Sequence, residues 1–346
     1  MISKNYYIYN KPVSREEFER TQKNIFENYD AFQKALSAFS NLIHTGVLRE
    51  NWNLHSENCV GDDLQDCQNC FMCFDAVKAK DCRYCVTAYE NKNCYDTTIY
   101  NPGSEWTLEG ICGGVNLHSS GYNYACLDMK DGWYTWGCMN SNNLFGCVGL
   151  HSHEHHCILN KSYSTQEYET LCGKIIDHMR STGEWGEFFP HELSPFGYNE
   201  TVANEYFPMT EADVRAKGWN WYTEDAKPFE GITYTPLPIS QYDERVVGFD
   251  IATKNINECL NGIIQCEVTG KPFKIIKQEL AFYIENGIPV PTKHPDQRHT
   301  ERMDLRNPRT LYERTCSECK KNIITTYAPD TPEKVVCEEC YRKLVY

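Results

Sequence analysis

Apolar residues recur at helical spacing near the start of the chain. Ser14 and Glu17 form a capping-box pair, in which each side chain bonds an N–H group that the first helical turn leaves unpaired. The apolar positions that follow are Phe18, Ile25, Phe26, Tyr29, Phe32, Leu36 and Phe39. The pattern predicts a long amphipathic helix with at most one break within residues 1–50.

A second segment repeats this pattern 150 residues later. Residues 6–19 read YYIYNKPVSREEFE, and residues 156–169 read HCILNKSYSTQEYE. Both predict a short apolar strand, an Asn-Lys pair and a capped helix, which indicates an internal duplication. The second helix ends near Gly183 and carries four apolar residues on one face: Leu171, Ile175, Ile176 and Met179. We expect residues 1–50 to be the tail of an incomplete repeat unit.

Short apolar runs alternate with Asn, Asp and Gly through residues 51–182. The runs include CFMCFDA, YCVTAY, NCYDTTIY and LFGCVGL. Cysteines recur among them about 9–18 residues apart, at Cys67, Cys82, Cys94, Cys112, Cys126, Cys138, Cys147 and Cys157. Short strands at such intervals predict a parallel β-helix-like solenoid with a capping helix, in which the cysteines stack in an interior ladder.

The remaining sequence divides into three parts. Residues 183–254 form an aromatic-rich connector and a linker that contains Pro228, Pro236 and Pro238. Residues 255–310 and 311–346 form two small C-terminal lobes. The expected fold is mainly β with α: a cysteine-rich solenoid, flanking helices and a tandem of treble-clef or zinc-ribbon lobes.

The last lobe carries a strong metal-site signature. Cys316, Cys319, Cys337 and Cys340 form two CxxC pairs separated by 17 residues. A CxxC turn presents two sulfurs to one metal, and Zn²⁺ favours four thiolates in a tetrahedron. We predict one structural Zn²⁺ per chain, because four thiolates leave no coordination position for water or substrate.

The lobe before it, residues 255–310, has lost part of such a site. Its CEVTGKPF and IPVP strings resemble probable zinc-binding treble-clef domains that read CxxC-G-K-x-F, then I-P-x-P and CxxCR. The four ligand positions are Cys266, Thr269, His294 and Gln297. Two of the four ligands are therefore lost, and the resemblance implies a metal-free relic of the fold.

Over residues 6–346 the chain resembles a family of bacterial cysteine-rich repeat proteins of unknown activity that end in treble-clef lobes. The matching strings are SENCVGD, NLFGCVGL, CILNKSYSTQEYE, GEWGEFFP, LSPFGYNETVANEYFP, RNPRTLYER and TTYAPDTPEKVVCEECY. The resemblance implies this architecture and no reaction.

Three further groups of residues are candidate sites. Cys67, Cys70 and Cys73 have spacing that an iron–sulfur cluster or another zinc could use, although buried thiols explain it better. His151, His153 and His155 would share one face of a strand and could bind a second metal, although a solvent-facing coil edge is the simpler interpretation. Four arginines at helical spacing could contact phosphates, although a solvated helix face is the simpler interpretation: Arg298, Arg302, Arg306 and Arg309.

Carboxylates give no clear catalytic group. Asp62, Asp63, Asp66, Asp75 and Asp81 could line a carbohydrate-active β-helix, but turns explain them equally well. A nucleophile elbow, a phosphate loop, a dinucleotide fingerprint and an HExxH motif are all absent from the sequence.

Composition narrows the function classes. The 346-residue chain has a net charge of −14, which disfavours general binding to nucleic acid or anionic membranes. It has no run of about 18 apolar residues and no signal-peptide pattern. Nineteen cysteines without such a signal indicate a reducing compartment, so we expect a cytoplasmic protein.

These observations favour a zinc-binding, non-enzymatic scaffold or binding module with a protein partner. One alternative is an RNA- or ribosome-associated factor that uses the arginine row. A second alternative is a metal-dependent enzyme or redox protein that uses the repeat cysteines or the histidines. The sequence identifies no small-molecule ligand and no membrane contact.

Overall fold

The computed structural model describes residues 5–100, 102–113, 115–223 and 231–345. The chain forms two compact units, each built from segments that are distant in sequence. The first unit comprises residues 1–47, 223–307 and 332–334. The second comprises residues 48–222, 308–331 and 335–346.

The strands and helices have the following bounds. The strands are β1 Tyr6–Ile8, β2 Lys11–Val13, β3 Val47–Arg49, β4 Val60–Gln65, β5 Phe71–Val77, β6 Val86–Tyr89, β7 Tyr95–Tyr100, β8 Glu105–Ile111, β9 His118–Tyr124, β10 Leu127–Trp136, β11 Met139–Phe145, β12 His155–Ile158, β13 Lys161–Ser162, β14 Ile264–Gln265, β15 Pro272–Phe273, β16 Tyr312–Thr315, β17 Asn322–Thr325 and β18 Lys334–Val336. The α-helices are α1 Arg15–Ile25, α2 Tyr29–Thr45, α3 Thr165–Thr182, α4 Val202–Tyr206, α5 Glu211–Ala216, α6 Glu244–Val247, α7 Phe249–Asn261, α8 Lys277–Asn286, α9 Pro295–Met303 and α10 Glu338–Val345.

The second unit is built on a β-solenoid, as the sequence predicted. Strands β4 to β12 lie side by side in chain order, each parallel to the next, and β13 adds antiparallel to β12. Phe74 pairs with Val86 and Val86 with Thr98, so one coil is twelve residues long. Some coils absorb one extra residue, as where Tyr95 pairs with Leu108.

The repeating unit of the solenoid is three residues, a period that the cysteine spacing does not reveal. From Asp63 to Ile99 every third residue has a φ between 52° and 56°, in the left-handed region. From Leu64 to Thr97 the residue after each left-handed position points inward and is buried, as Cys67, Ala76 and Asn91 show. The density of Asp and Asn follows from this geometry, because both tolerate the left-handed region better than most residues.

The narrow interior explains why the inward positions are so often cysteine. From Cys67 to Cys147, each buried thiol of the solenoid lies within hydrogen-bonding distance of two carbonyl groups, one two residues earlier and one in the next coil. Cys82 Sγ lies 3.3 Å from Lys80 O and 3.5 Å from Asn91 O. Ser120 and Ser141 make the first of these contacts with a hydroxyl, for example to His118 O at 3.0 Å. Cysteine therefore acts here as a small apolar residue with a weak donor.

An aromatic cluster and helix α3 cover the outer face of the last coils. Tyr122 and Tyr134 stack with ring centroids 4.5 Å apart, and Trp185 packs against Tyr134 at 5.9 Å. Helix α3 begins with the predicted capping box at Ser164 and Glu167. The predicted apolar face of α3 packs on the same cluster through Leu171, Ile175, Ile176 and Met179.

The first unit contains the N-terminal elements and most of the lobe at residues 255–310. The predicted N-terminal helix is present with one break, as α1 and α2. The core of the unit gathers residues from α7, α8, β14 and β15, including Cys259, Ile264, Phe273 and Leu280. The Tyr234 and Tyr242 hydroxyls are 2.9 Å apart beside this core.

Two β-branched residues occupy left-handed positions of the solenoid, where such side chains are strained. They are Thr87 at φ 54° and Ile99 at φ 56°. Thr87→Asn should raise the free energy of unfolding by about 1 kcal/mol, because Asn tolerates this backbone. Calorimetry would measure the change. Thr98→Asn, at a position with ordinary backbone, is the control, and an equal gain from both variants would contradict the strain.

Candidate metal centre

The first cysteine pair of the metal centre lies on the turn between β16 and β17. The Cys316 N–H donates to Lys321 O at 2.8 Å, and the Lys320 N–H donates to Cys316 O at 3.1 Å. Lys320 has a φ of 64°, so the chain reverses within the turn. This tight reversal brings Cys316 and Cys319 to the same side of the hairpin.

The second pair comes from the end of β18 and the first turn of α10. Cys337 Sγ lies 3.7 Å from Cys319 Sγ, and the four sulfurs all lie within 4.8 Å of one another. Zn–S bonds of about 2.3 Å in a tetrahedron would place sulfurs about 3.8 Å apart. The four cysteines therefore have the spacing and the soft donors to hold a metal ion.

The protein lowers the pKa of one of these thiols, Cys316, and raises the pKa of two others, Cys337 and Cys340. Burial raises the pKa of Cys316, but N–H groups of Cys337, Cys319 and Glu318 outweigh it and lower the pKa to about 6. Interaction with the Cys337 thiol raises the pKa of Cys340 to about 12. Binding a metal must displace the protons that remain, so the affinity falls as the pH falls.

The lobe at residues 255–310 has the same backbone geometry. The Cys266 N–H donates to Lys271 O at 3.0 Å, and the Gly270 N–H donates to Cys266 O at 2.8 Å. The Glu267 N–H donates to Thr292 O at 3.2 Å, as the Ser317 N–H does to Val335 O at 3.0 Å in the last lobe. Thr292 and Val335 each lie two residues before the second ligand pair, so His294 and Gln297 occupy the positions of Cys337 and Cys340.

Hydrogen bonds and packing take the place of the missing ligands in this lobe. Burial raises the pKa of Cys266, but the Thr269 hydroxyl and N–H groups of His294 and Thr269 lower it to about 7. His294 Nδ1 accepts from the Asp296 N–H at 3.1 Å and caps α9. The His294 ring packs edge-on against Phe273, with centroids 5.7 Å apart.

Other cysteines and histidines do not form a comparable set. Among the described residues, Cys316, Cys319, Cys337 and Cys340 form the only group of three or more His, Cys, Asp or Glu side chains whose ligand atoms come so close. His151, His153 and His155 are exposed, and strand β12 starts only at His155, so they do not share a strand face. The nineteen cysteines form no disulfide.

The arginine row does not lie on a single helix. Helix α9 ends at Met303, before Arg306 and Arg309. The Arg298 guanidinium donates to the Tyr283 hydroxyl at 3.1 Å and to Glu279 at 3.3 Å. Arg302 is exposed to solvent. At least Arg298 therefore has a role inside the protein.

Two aspartates of the solenoid hold the last lobe and the segment that leads into it, a role that the sequence did not reveal. Asp62 accepts hydrogen bonds from the Thr326 hydroxyl at 2.6 Å and from the Trp52 N–H at 2.8 Å. Asp75 pairs with Arg309 at 2.5 Å, and the Arg309 guanidinium lies 3.8 Å from the Tyr206 ring centroid. These are long-range contacts, and no local motif signals them.

A short backbone contact joins the metal lobe to the segment before the first coil. The Glu50 N–H donates to Val336 O at 2.9 Å, and the Glu338 N–H donates to the Glu50 carboxylate at 3.2 Å. Arg49 is buried and lies 3.3 Å from Glu338. The end of β18 and the start of α10 flank Cys337. Both therefore contact Arg49 and Glu50, which precede the first coil of the solenoid.

Comparisons with known proteins add no function. No protein-family model matches the chain, and no curated protein sequence is significantly similar to it. None of the helices in the described part of the chain is long and apolar enough to cross a membrane.

Arg309 offers a direct test of how the last lobe is attached. Arg309→Ala should lower the free energy of unfolding by about 2–3 kcal/mol, because it removes the Asp75 ion pair and the Tyr206 contact. Arg302→Ala, at an exposed position, should change it by less than about 0.5 kcal/mol. Chemical denaturation measures both variants, and equal values for the two would refute the anchoring role of Arg309.

Proposed function

We propose that the chain is a non-enzymatic scaffold or binding protein with one structural Zn²⁺ at Cys316, Cys319, Cys337 and Cys340. The observation that carries the proposal is the coupling of this four-sulfur set to the solenoid. Thr326, directly after β17, bonds Asp62, and Glu338 of α10 bonds Glu50. Arg309, in the segment that leads into β16, pairs with Asp75. The metal would thus stabilise the fold of the lobe that packs against the first coils.

The donor set favours a structural metal. Four thiolates fill the tetrahedral coordination of Zn²⁺ and leave no position for a substrate or an activated water. The loop after β17 is short, with four residues between the end of β17 and Asp330. The lobe has few buried apolar side chains, among them Ile323, Val335 and Val336. A lobe with so small a core needs the metal for its stability.

The solenoid favours binding over catalysis. Its interior thiols are buried, and each is occupied by carbonyl contacts such as those of Cys85 to Arg83 O and Cys94 O. Its outer face exposes aromatic side chains instead, including Tyr84 and Trp106. Exposed aromatic rings on a rigid surface are typical of sites that bind partners.

The proposal extends to the compartment and the family of the protein. We place the protein in the cytoplasm, since nineteen free thiols fit a reducing compartment. We assign it to the bacterial cysteine-rich repeat family on the strings given above. The internal contacts of Arg298 and Arg309 make phosphate binding by the arginine row the weaker alternative.

Metal analysis tests the proposal. Elemental mass spectrometry of untagged protein should find one zinc and no iron per chain. Cys340→Ser should lose the zinc and lower the melting temperature by about 5 °C or more, because a closed site needs all four ligands. Cys112→Ser changes an exposed cysteine outside the set, so this variant should keep the zinc and the melting temperature of the natural chain.

Two or more metals per chain, or stoichiometric iron, would contradict this function. The result would favour an enzyme or redox protein that uses the repeat cysteines or the histidines.

The metal-free lobe permits a gain-of-site test. The double variant Thr269→Cys and Gln297→Cys should bind a second zinc, because it would complete a three-cysteine, one-histidine set with Cys266 and His294. The matched control is Thr269→Ser with Gln297→Ser, which should bind one. A double cysteine variant that still binds a single zinc would show that the two lobes do not share the ligand geometry.

A further inference from the structure

The two copies of the duplicated segment have the same backbone. In the first copy Ile8 pairs with Lys11 across an antiparallel turn, and Tyr9 and Asn10 have φ values of 48° and 63°. In the second copy Ile158 pairs with Lys161, and Leu159 and Asn160 have φ values of 48° and 62°. In each copy two residues lie between the paired lysine and the serine that caps the helix.

Both copies then enter a helix through the same cap. Ser14 Oγ accepts from the Glu17 N–H at 3.1 Å, and Ser164 Oγ accepts from the Glu167 N–H at 3.4 Å. The strand–turn–strand–helix unit β1-β2-α1 is therefore the same structural device as β12-β13-α3.

The second copy closes the solenoid. Strand β12 adds parallel to the last full coil, with Cys157 beside Leu144 and Ile158 beside Phe145. The addition buries the last two residues of β12, since Cys157 is 1% and Ile158 4% exposed. Tyr168 of α3 packs against Phe145 and Ile158 on the outside. One edge of β12 thus binds a coil, and its other edge binds β13.

The first copy lacks the coil that the second copy binds. Within the described residues, β1 pairs with β2 alone. Tyr7, the counterpart of Cys157, is 54% exposed, and Ile8 is only half-buried. Helix α1 buries none of its residues, whereas α3 buries Tyr168. The coil-binding edge of β1 and the face beside it are therefore open.

We propose that β1-β2-α1 caps the terminal coil of a partner triplet β-solenoid that is not among the described residues. The partner's last strand would add parallel to β1, as β11 does to β12, and backbone hydrogen bonds across this edge would supply the affinity. A second copy of this chain does not fit, because β12-β13-α3 already covers the last coil of its solenoid.

The size of Tyr7 adds a requirement on that partner. Tyr7 takes the place of the small Cys157, so the interior position facing it must be smaller than Leu144 is here. Ile8 and Phe18 would meet an outer side chain of the partner coil, as Ile158 and Tyr168 meet Phe145. The inference does not depend on the metal site or on the proposed function.

A transplant in the full-length chain tests whether the first copy can cap a coil. Residues 156–169 are replaced by the sequence of residues 6–19, and hydrogen exchange is measured at the β11 amides. In a second transplant the residue derived from Tyr7 is replaced by Cys. This variant covers the case in which Leu144 leaves no room for the tyrosine ring. A control transplant carries Asp in place of its Tyr7- and Ile8-derived residues.

The proposal predicts that in at least one of the first two transplants the β11 amides exchange no more than about tenfold faster than in the natural chain. In the Asp control the same amides should exchange at least about a hundredfold faster. If both transplants exchange as fast as the control, the first copy is not a solenoid cap and the proposal falls.

A point variant of the natural chain tests whether the β1 edge is unused internally. Tyr7→Asp should shift the melting temperature by less than about 1 °C, whereas Cys157→Asp should lower it by about 5 °C or more, because it buries a charge in the last coil. Equal losses from the two variants would show that β1 serves only the fold of its own chain and would overturn the proposal.

Discussion

A left-handed residue at every third position is the constraint on which the solenoid unit depends. It turns the chain four times in twelve residues and brings four side chains per coil into a narrow interior. Successive coils are about 4.8 Å apart, so the inward positions accept only small side chains over most of the length. The same turning leaves carbonyl groups directed inward, and the thiols and hydroxyls at these positions bond them, as Cys85 and Ser120 do.

The two ends of this solenoid are closed in different ways. At its last coil an extra strand, a reversed strand and α3 cover the backbone edge and the aromatic face. At its first coils Asp62 and Asp75 hold a small lobe and the segment that leads into it, and this lobe carries four cysteines that could hold a metal ion. Exposed strand edges invite pairing with other chains, so both devices keep a long parallel sheet from associating unspecifically.

The features that local sequence could predict are those with a local cause. The CxxC pairs, the helix caps at Ser14 and Ser164, and the alignment of Cys266 with Cys316 all depend on spacing within a few residues. The triplet period was missed because its left-handed positions hold residues as different as Asp75, Lys78 and Ile99. Its inward positions likewise vary among Cys, Ala, Asn and Thr. The roles of Asp62 and Asp75 depend on residues more than 200 positions away, and no pattern along the chain encodes them.

The burial of so many thiols makes unfolding difficult to reverse. In the folded chain the interior cysteines from Cys67 to Cys157 are shielded from oxidants and alkylating agents. A molecule that opens exposes them together, and thiolates in an unfolded chain react with one another and with other chains. The working lifetime of the protein is then governed by how rarely the solenoid opens, and its persistence is a matter of kinetics.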